Sequence, residues 1–322
     1  MSYSSPSSSS ICSDDAATLE ATDWDVIQRH VSSTLGVAST TWTKTKSGGY
    51  NLVRFLHVDG HLDVVARVPL NHVEDPEIAV RNVVATMQYF HERTNISLPQ
   101  ILCYSTSAQV ARCPYIVTSK AEGVALAEIW DDMADYKRDE ILRQVVQILL
   151  EMYSQRFDKI GVLSRGRDGT WMIQQPPPQG PEDHSMVYHS GTDYWIDYAT
   201  RRLATILVEA TDSSAIYEYA HMWWMRSLIP SLYDNSLDGN GFPLMHGDFH
   251  LQNIFIVNAE TESPRISSII DWDDTRTIPT SSFAQPPFFL VDHPLLDPRD
   301  EKTQIMMKRN ARDRIWNLIL PE

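Results

Sequence analysis

Residues 47–70, SGGYNLVRFLHVDGHLDVVARVPL, constrain the fold more than any other stretch of the chain. Apolar and polar residues alternate on both sides of Asp59-Gly60, and β-branched and aromatic types are frequent. A period of two turns one face of each run toward a core, and a DG pair between two such runs favours a tight hairpin. The chain therefore needs an antiparallel sheet early on, with the glycine pair Gly48 and Gly49 at the start of its first strand. Upstream, residues 23–34 read as a short helix with Asp23 as N-cap. Downstream, Val80, Val83, Val84, Met87 and Phe90 recur at helical spacing across 77–93, and PYIVTSK (114–120) reads as a buried strand.

Beyond that strand the pattern becomes mainly helical. Ile141, Leu142, Val145, Val146, Leu149, Met152 and Tyr153 define one amphipathic helix. The aromatic-rich span 193–232 defines more, with Trp223 and Trp224 read as core packing and Glu209 and Asp212 as helix-surface charges. QQPPPQGPEDH (174–184) is too rich in proline for a helix or a central strand and reads as a surface loop. NIFIV and RISSIIDW are two short strands about a polar turn, and a short helix is expected near 315–320. The expected fold class is α+β in two lobes: a small β-rich N-lobe over 20–118, a hinge at 119–123 and a larger, mainly helical C-lobe over 124–322.

Composition narrows the function. With 322 residues, 43% of them apolar, the chain can bury a sizeable core. A formal net charge of −15 repels phosphate backbones, which disfavours a nucleic-acid binder. No apolar run is long enough to span a bilayer, and MSYSSPSSSS lacks the basic-then-apolar order of a secretory signal. Cys12, Cys103 and Cys113 form no CxxC pair, so a reducing, cytoplasmic setting is expected, with residues 1–15 as a disordered Ser-rich start.

HGDFHLQN (246–253) carries the chemistry, and it has two readings. His246, Asp248 and His250 alternate, so on a strand they would share a face and suit zinc, but His184, His189 and His221 do not cluster with them. The other reading is phosphoryl transfer. That reaction needs a base at the acceptor hydroxyl, an amide ligand for Mg²⁺ and a carboxylate bridging Mg²⁺ to the phosphates. Kinase-like enzymes place the first two in one H-x-D-x-x-x-x-N loop, and His246, Asp248 and Asn253 fit that spacing. After IFIV and a turn, IIDWDD places Asp271 at the end of the next strand. The two motifs in this order are a specific signal, and they favour transfer over zinc. Upstream, the turn Ser47, Gly48, Gly49 allows backbone N–H groups to approach phosphates, and Arg67 stands one hairpin later.

SGGYNLVRF, VVARVPL, VVATMQYFHERTNISLPQIL, EGVALAEIWDDM, RFDKIGVL, HGDFHLQNIFI and IIDWDDT, in this order, resemble the aminoglycoside phosphotransferase family, in particular its broad branch in filamentous fungi. The resemblance covers about residues 45 to 290 and implies a protein-kinase-like fold. It also implies transfer of the γ-phosphoryl group of ATP to a hydroxyl on a small-molecule acceptor. It assigns Asp248 as catalytic base, Asn253 and Asp271 to Mg²⁺, and Arg67 to the place of the usual strand lysine. The backbone around Ser119, Lys120 and Ala121 is assigned to adenine, and His246 is a scaffold residue of the loop. Three features depart from the pattern. The helix position expected to offer a glutamate to Arg67 is Val83, with Glu74 or Glu77 as substitutes. Asp273 stands where many kinases carry glycine, adding charge beside the metal, and relatives continue with further helices. Val83 motivates an alternative function of another class, a nucleotide-binding pseudokinase acting as scaffold or sensor. Asp131, Asp132 and Asp135 read as a solvated helix start.

Overall fold

The computed structural model describes residues 13–60, 63–176, 186–209, 214–285, 287 and 289. In chain order the elements are α1 (Ser13–Ala21), α2 (Trp24–Leu35), β1 (Thr40–Ser47), β2 (Asn51–Val58), β3 (Val64–Pro69), α3 (Pro76–Arg93), β4 (Ile101–Ser105), α4 (Ala108–Ala111), β5 (Tyr115–Ser119), β6 (Val124–Ala125), α5 (Leu126–Ile129) and α6 (Asp135–Ser154). There follow β7 (Arg156–Phe157), β8 (Val162–Arg165), β9 (Trp171–Gln174), α7 (Gly191–Glu209), α8 (Ser214–Leu232), β10 (Phe242–Met245), β11 (Ile254–Val257), β12 (Arg265–Ile269), β13 (Arg276–Thr277) and α9 (Thr280–Phe283). The chain divides into two compact units. The first holds the described residues up to Lys137 together with Leu251–Asp273. The second holds Arg138–Pro176, the described residues from 186 to His250, and those from Asp274 onward. The expected hinge at 119–123 thus falls inside the first unit, as do Asn253 and Asp271.

The first unit is built on a five-stranded sheet in the order β1-β2-β3-β5-β4. The alternation around Asp59-Gly60 becomes the β2–β3 hairpin, with Leu56 opposite Val64 and Asn51 opposite Pro69. Gly60 turns the chain at φ +76°. Leu52, Leu56, Val64, Ala66 and Val68 form one buried face and pack with Ile27 and Val31 of α2. Asp23 caps that helix by accepting the Val26 N–H at 3.2 Å. Because side chains alternate along a strand, Arg67, between Ala66 and Val68, points to the other face. β11 and β12 form a second, small sheet with β6, in the order β12-β11-β6.

In the second unit β10 lies between β7 and β13, β8 pairs with β9, and α7 packs on α8. Ile160, Tyr188 and Phe242 form a small buried cluster there.

Several expectations need correction. β1 precedes the glycine pair, so Gly48 and Gly49 form the β1–β2 turn rather than a strand start. Its TTWTKTKS sequence alternates at half-burial only, which hides the periodicity. Ser13–Ala21 is helical, so α1 overlaps the expected disordered start, and Asp15 in it is buried and accepts the Ser47 hydroxyl at 2.5 Å. The second unit also contains the β8–β9 hairpin, which turns at Gly169 with φ +83°. Trp223 and Trp224 are 55% and 57% exposed and are not core. Asp131, Asp132 and Asp135 are exposed, but only Asp135 opens a helix, and the other two lie in the turn before α6. Cys12, His184, Asp212, the Glu209 side chain, most of the proline-rich loop and the helix expected at 315–320 lie outside the described residues. Among the described residues no helix is long and apolar enough to cross a membrane.

Candidate active site

The chemistry-bearing residues of the first unit gather at one end of the β11–β12 hairpin. Ile254 pairs with Ile269, and the Ile270 N–H donates to the Asn253 carbonyl at 3.0 Å. The register therefore brings Asn253, just before β11, and Asp271, just after β12, to the same end. Trp272 fixes the chain there. It is fully buried, its ring lies 4.6 Å from that of Phe90, and its Nε1–H donates to the Ile269 carbonyl at 2.9 Å. With Trp272 held inward, Asp271 takes the left-handed conformation at φ +69°. That conformation is uncommon for any residue but glycine, although aspartate tolerates it better than most, and such outliers concentrate at functional sites.

Arg67 reaches this end from β3. Its Nη2 donates to Asp271 Oδ1 at 2.8 Å and to Asp273 Oδ2 at 2.5 Å. The Asp273 Oδ1 accepts from Asn51 Nδ2 at 3.0 Å, so that carboxylate joins β3 to the first residue of β2. Only 17% of the Arg67 side chain is exposed. Burial works to lower the Arg67 pKa, but the charges of Asp273 and Asp271 outweigh it and hold it above its ordinary value. Burial pushes the Asp271 carboxyl up to about 6 against the pull of Arg67, with the charge of Asp273 adding to the rise. Burial works in the same sense on Asp273, yet Arg67 and the hydrogen bonds from Asp271 and Asn51 keep it below the usual carboxylate range. Two carboxylates sharing one guanidinium are thus driven apart in acidity, the pattern that marks candidate sites.

The glycine turn and the hinge belong to the same unit. Gly48 N–H donates to the Asn51 carbonyl at 3.0 Å, and the Gly49 carbonyl lies 3.0 Å from His72 Nε2. Among the described residues the N–H groups of Gly49 and Tyr50 make no hydrogen bond. The Ser47 hydroxyl is committed to Asp15. At the end of β5, Ser119 N–H donates to the Gln100 carbonyl at 2.9 Å and Lys120 N–H to the Asp63 carbonyl at 3.0 Å. Ala121 N–H is uncommitted among the described residues. Gly123 follows at φ +89° and leads into β6, which pairs with β11.

Asp248 lies in the second unit, on the loop that leaves β10. His246 is fully buried, with its ring 5.8 Å from that of Phe249. Gly247 takes φ +80°, and a Cβ there would lie 2.4 Å from the Asp274 carbonyl oxygen, so only glycine fits. The loop then presents Asp248, whose Oδ2 lies 3.1 Å from His250 Nε2. His250 is thus a direct neighbour of the assigned base. β10 ends at Met245, so His246, Asp248 and His250 are on a loop and share no strand face. Among the described residues no group of three or more His, Cys, Asp or Glu side chains is arranged to hold a metal ion. Among the described residues nothing supports the zinc reading.

Sequence reasoning missed Asn51, Asp15 and His72, and it read Asp273 only as added charge. The available signal was Val83: with no carboxylate there, a buried Arg67 needs another counter-charge. Glu77 does not provide it among the described residues: Arg67 pairs with Asp271 and Asp273, while Glu77 Oε1 accepts the Ala108 N–H at 2.8 Å.

An HxDx₄N loop, a strand hairpin ending in a carboxylate and a five-stranded sheet carrying a buried arginine are parts of a kinase-like fold. Residues 41–281, three quarters of the chain, match the Phosphotransferase enzyme family, and the chain belongs to that family. A putative aminoglycoside phosphotransferase from Ralstonia eutropha JMP134 is similar in structure, with a TM-score of 0.55 at 13% identity, over 92% of this chain and 81% of that one. The GDP and kanamycin complex of APH(2″)-IIIa gives a TM-score of 0.50 at 13% identity, over 91% and 87%. These likenesses establish the fold: α+β and protein-kinase-like, with a β-sheet N-terminal region and a helical C-terminal region. A subtelomeric hrmA-associated cluster protein of Aspergillus fumigatus is 25% identical over 153 residues, 47% of this chain and 30% of the relative. The mitochondrial protein "altered inheritance of mitochondria protein 9" of Zygosaccharomyces rouxii is 27% identical over 128 residues, 36% and 21% of the two chains. The matches thus span less than a third of those relatives.

Proposed function

We propose that this chain transfers the γ-phosphoryl group of ATP, with Mg²⁺, to a hydroxyl of a small-molecule acceptor. The observation that carries the reading is Arg67. It is held by two carboxylates through one nitrogen only, and its Nε and Nη1 make no hydrogen bond among the described residues. A preorganised guanidinium with unused donors suits a phosphate. The uncommitted N–H groups of Gly49 and Tyr50 suit phosphate oxygens, and that of Ala121 suits the edge of adenine. Asn253 and Asp271 would hold Mg²⁺, since an amide oxygen and one carboxylate match the hard, oxygen-only preference of that ion. When bound, the ion neutralises phosphate charge. Asp248 would take the proton of the acceptor hydroxyl, with His250 against its other side. A net charge of −15 favours a small or cationic acceptor over a polyanion. The free thiols Cys103 and Cys113 support a reducing compartment such as the cytoplasm.

The test combines a thermal shift with a transfer assay. A ligand that binds only the native state raises the melting point, by an amount equivalent to about 2.7 kcal/mol at a hundredfold excess over Kd. MgATP should stabilise the chain, and Asp248→Asn should bind as well yet lose about 10²-fold or more in turnover over an acceptor panel. Unchanged turnover in that variant would remove Asp248 from the mechanism. The scaffold reading is favoured by Val83, buried at the expected glutamate position; it requires MgATP binding with no transfer.

A further inference from the structure

We propose that Asp273 is the residue that positions Arg67 for phosphate binding, and that Asn51 in turn fixes Asp273 against the base of the glycine turn. This rests on the phosphotransferase reading above and adds to it a residue that the motif does not mark.

Arg67 has two partners. Asp271 is the carboxylate assigned to the metal, so its charge is shared with another cation in that reading. Asp273 has no such second task. Its Oδ2 lies 2.5 Å from Arg67 Nη2, and its Oδ1 receives Asn51 Nδ2 at 3.0 Å. Both oxygens are therefore spent on holding other groups, and 30% of the side chain is exposed. Asn51 is well placed as an anchor, because its carbonyl also accepts the Gly48 N–H at 3.0 Å and closes the β1–β2 turn. One chain of contacts thus runs from the glycine turn through Asn51 and Asp273 to Arg67. It sets the guanidinium relative to the N–H groups of Gly49 and Tyr50. Trp272 fixes the spacing of the two aspartates by burying itself between them in sequence.

Among the described residues no other carboxylate pairs with Arg67. Val83 on α3 is buried and apolar, Glu77 accepts the Ala108 N–H, and Glu74 makes no ion pair among the described residues. The counter-charge for Arg67 has accordingly come from the segment after β12 instead of from α3. Aspartate at position 273 is then required where glycine would leave Arg67 with the metal-binding carboxylate alone.

The experiment is a double-mutant cycle on Arg67→Met and Asp273→Asn, read as MgATP affinity, adenosine affinity and the Mg²⁺ concentration for half-maximal turnover. Each single variant should weaken MgATP about tenfold, within the range of couplings for contacting residues. Adenosine, which lacks phosphates, should bind both as it binds the wild type. The double variant should be no worse than Arg67→Met, since Asp273 acts through Arg67. Asn51→Ala should cause a smaller loss in the same direction, and it carries the test if Asp273→Asn does not fold. Additive losses, an unchanged MgATP affinity in the single Asp273 variant (or in Asn51→Ala where that variant stands in), or a raised Mg²⁺ requirement that persists in the Arg67→Met background would overturn the proposal. In the last case Asp273 is a metal ligand. A wild-type chain that binds no MgATP overturns this inference and the functional reading together; a wild type that binds while Asp273→Asn binds equally well overturns the inference alone.

Discussion

Gly123→Ala tests whether the hinge is held by β6 and β11. Gly123 has φ +89°, and a Cβ added there would lie 2.0 Å from the Ile256 carbonyl oxygen and 2.7 Å from its carbon. Two costs follow. Placing alanine in the left-handed region costs about 1–2 kcal/mol. The clash is with backbone, and opening it to a tolerable 3.0 Å means moving β11 or the hinge by about 1 Å. That shift weakens the pairing of Val124 with Ile256 and Ala125 with Phe255, at about 0.5–1.5 kcal/mol per hydrogen bond lost. The sum is about 2–5 kcal/mol, which is a large part of the stability of an ordinary domain. Urea denaturation followed by tryptophan fluorescence measures it, as a fall of about 1–2 M in midpoint at an unchanged slope. Gly123→Asn separates the two causes. Asparagine tolerates the left-handed region but carries the same Cβ, so it should be nearly as destabilising as alanine. A loss below about 1 kcal/mol in the alanine variant, or recovery in the asparagine variant, would refute the close-approach argument.

Gly49→Ala is the contrasting case: nothing lies within 4 Å of its added Cβ and its φ is not in the left-handed region. Its melting point should stay within the equivalent of about 0.5 kcal/mol of wild type while MgATP affinity falls, and an unchanged affinity would remove the turn from the phosphate cradle. Trp272→Ala should cost about 3–5 kcal/mol, because it empties the space against Phe90 and releases the Ile269 carbonyl; calorimetry of the purified variant decides. The folded-state pKa of Asp271 is raised from 3.8 to about 6 by burial, opposed by Arg67. Its contribution to stability is therefore present below pH 3.8 and lost as pH rises through about 6. Urea midpoints should fall across that window in the wild type and be flatter in Asp271→Asn. The effect is modest because 42% of the side chain is exposed; parallel profiles in the two proteins would exclude Asp271 as the source.

Much of the fold was legible because it depends on local pattern. The period of two around Asp59-Gly60 specified β2 and β3, and the 3.6-residue recurrence of Val80, Val84, Met87 and Phe90 specified α3. β1 was not legible, since its threonines and exposed lysines lie at a sheet edge and bury nothing fully, which leaves little periodic signal. The exposure of Trp223 and Trp224 was not legible either. Apolar content within a helix says that a face wants cover, and only the packing says which faces have it.

The same division holds at the site. The sequence by itself determined the ordered motifs of HGDFHLQN and IIDWDD, because the reaction needs a base, an amide and a carboxylate at spacings that a loop and a hairpin impose. Alternation along β3 puts Arg67 on the face opposite Ala66 and Val68, in a central strand rather than at an edge. Only the tertiary structure decided what Arg67 meets. Asp271 and Asp273 lie 204 and 206 residues away along the chain, and Asn51 is 222 residues from Asp273. No local pattern encodes contacts at such separations. They arise from the way β3, β2 and the β11–β12 hairpin pack within one unit, and a buried guanidinium there takes whichever carboxylate the packing supplies.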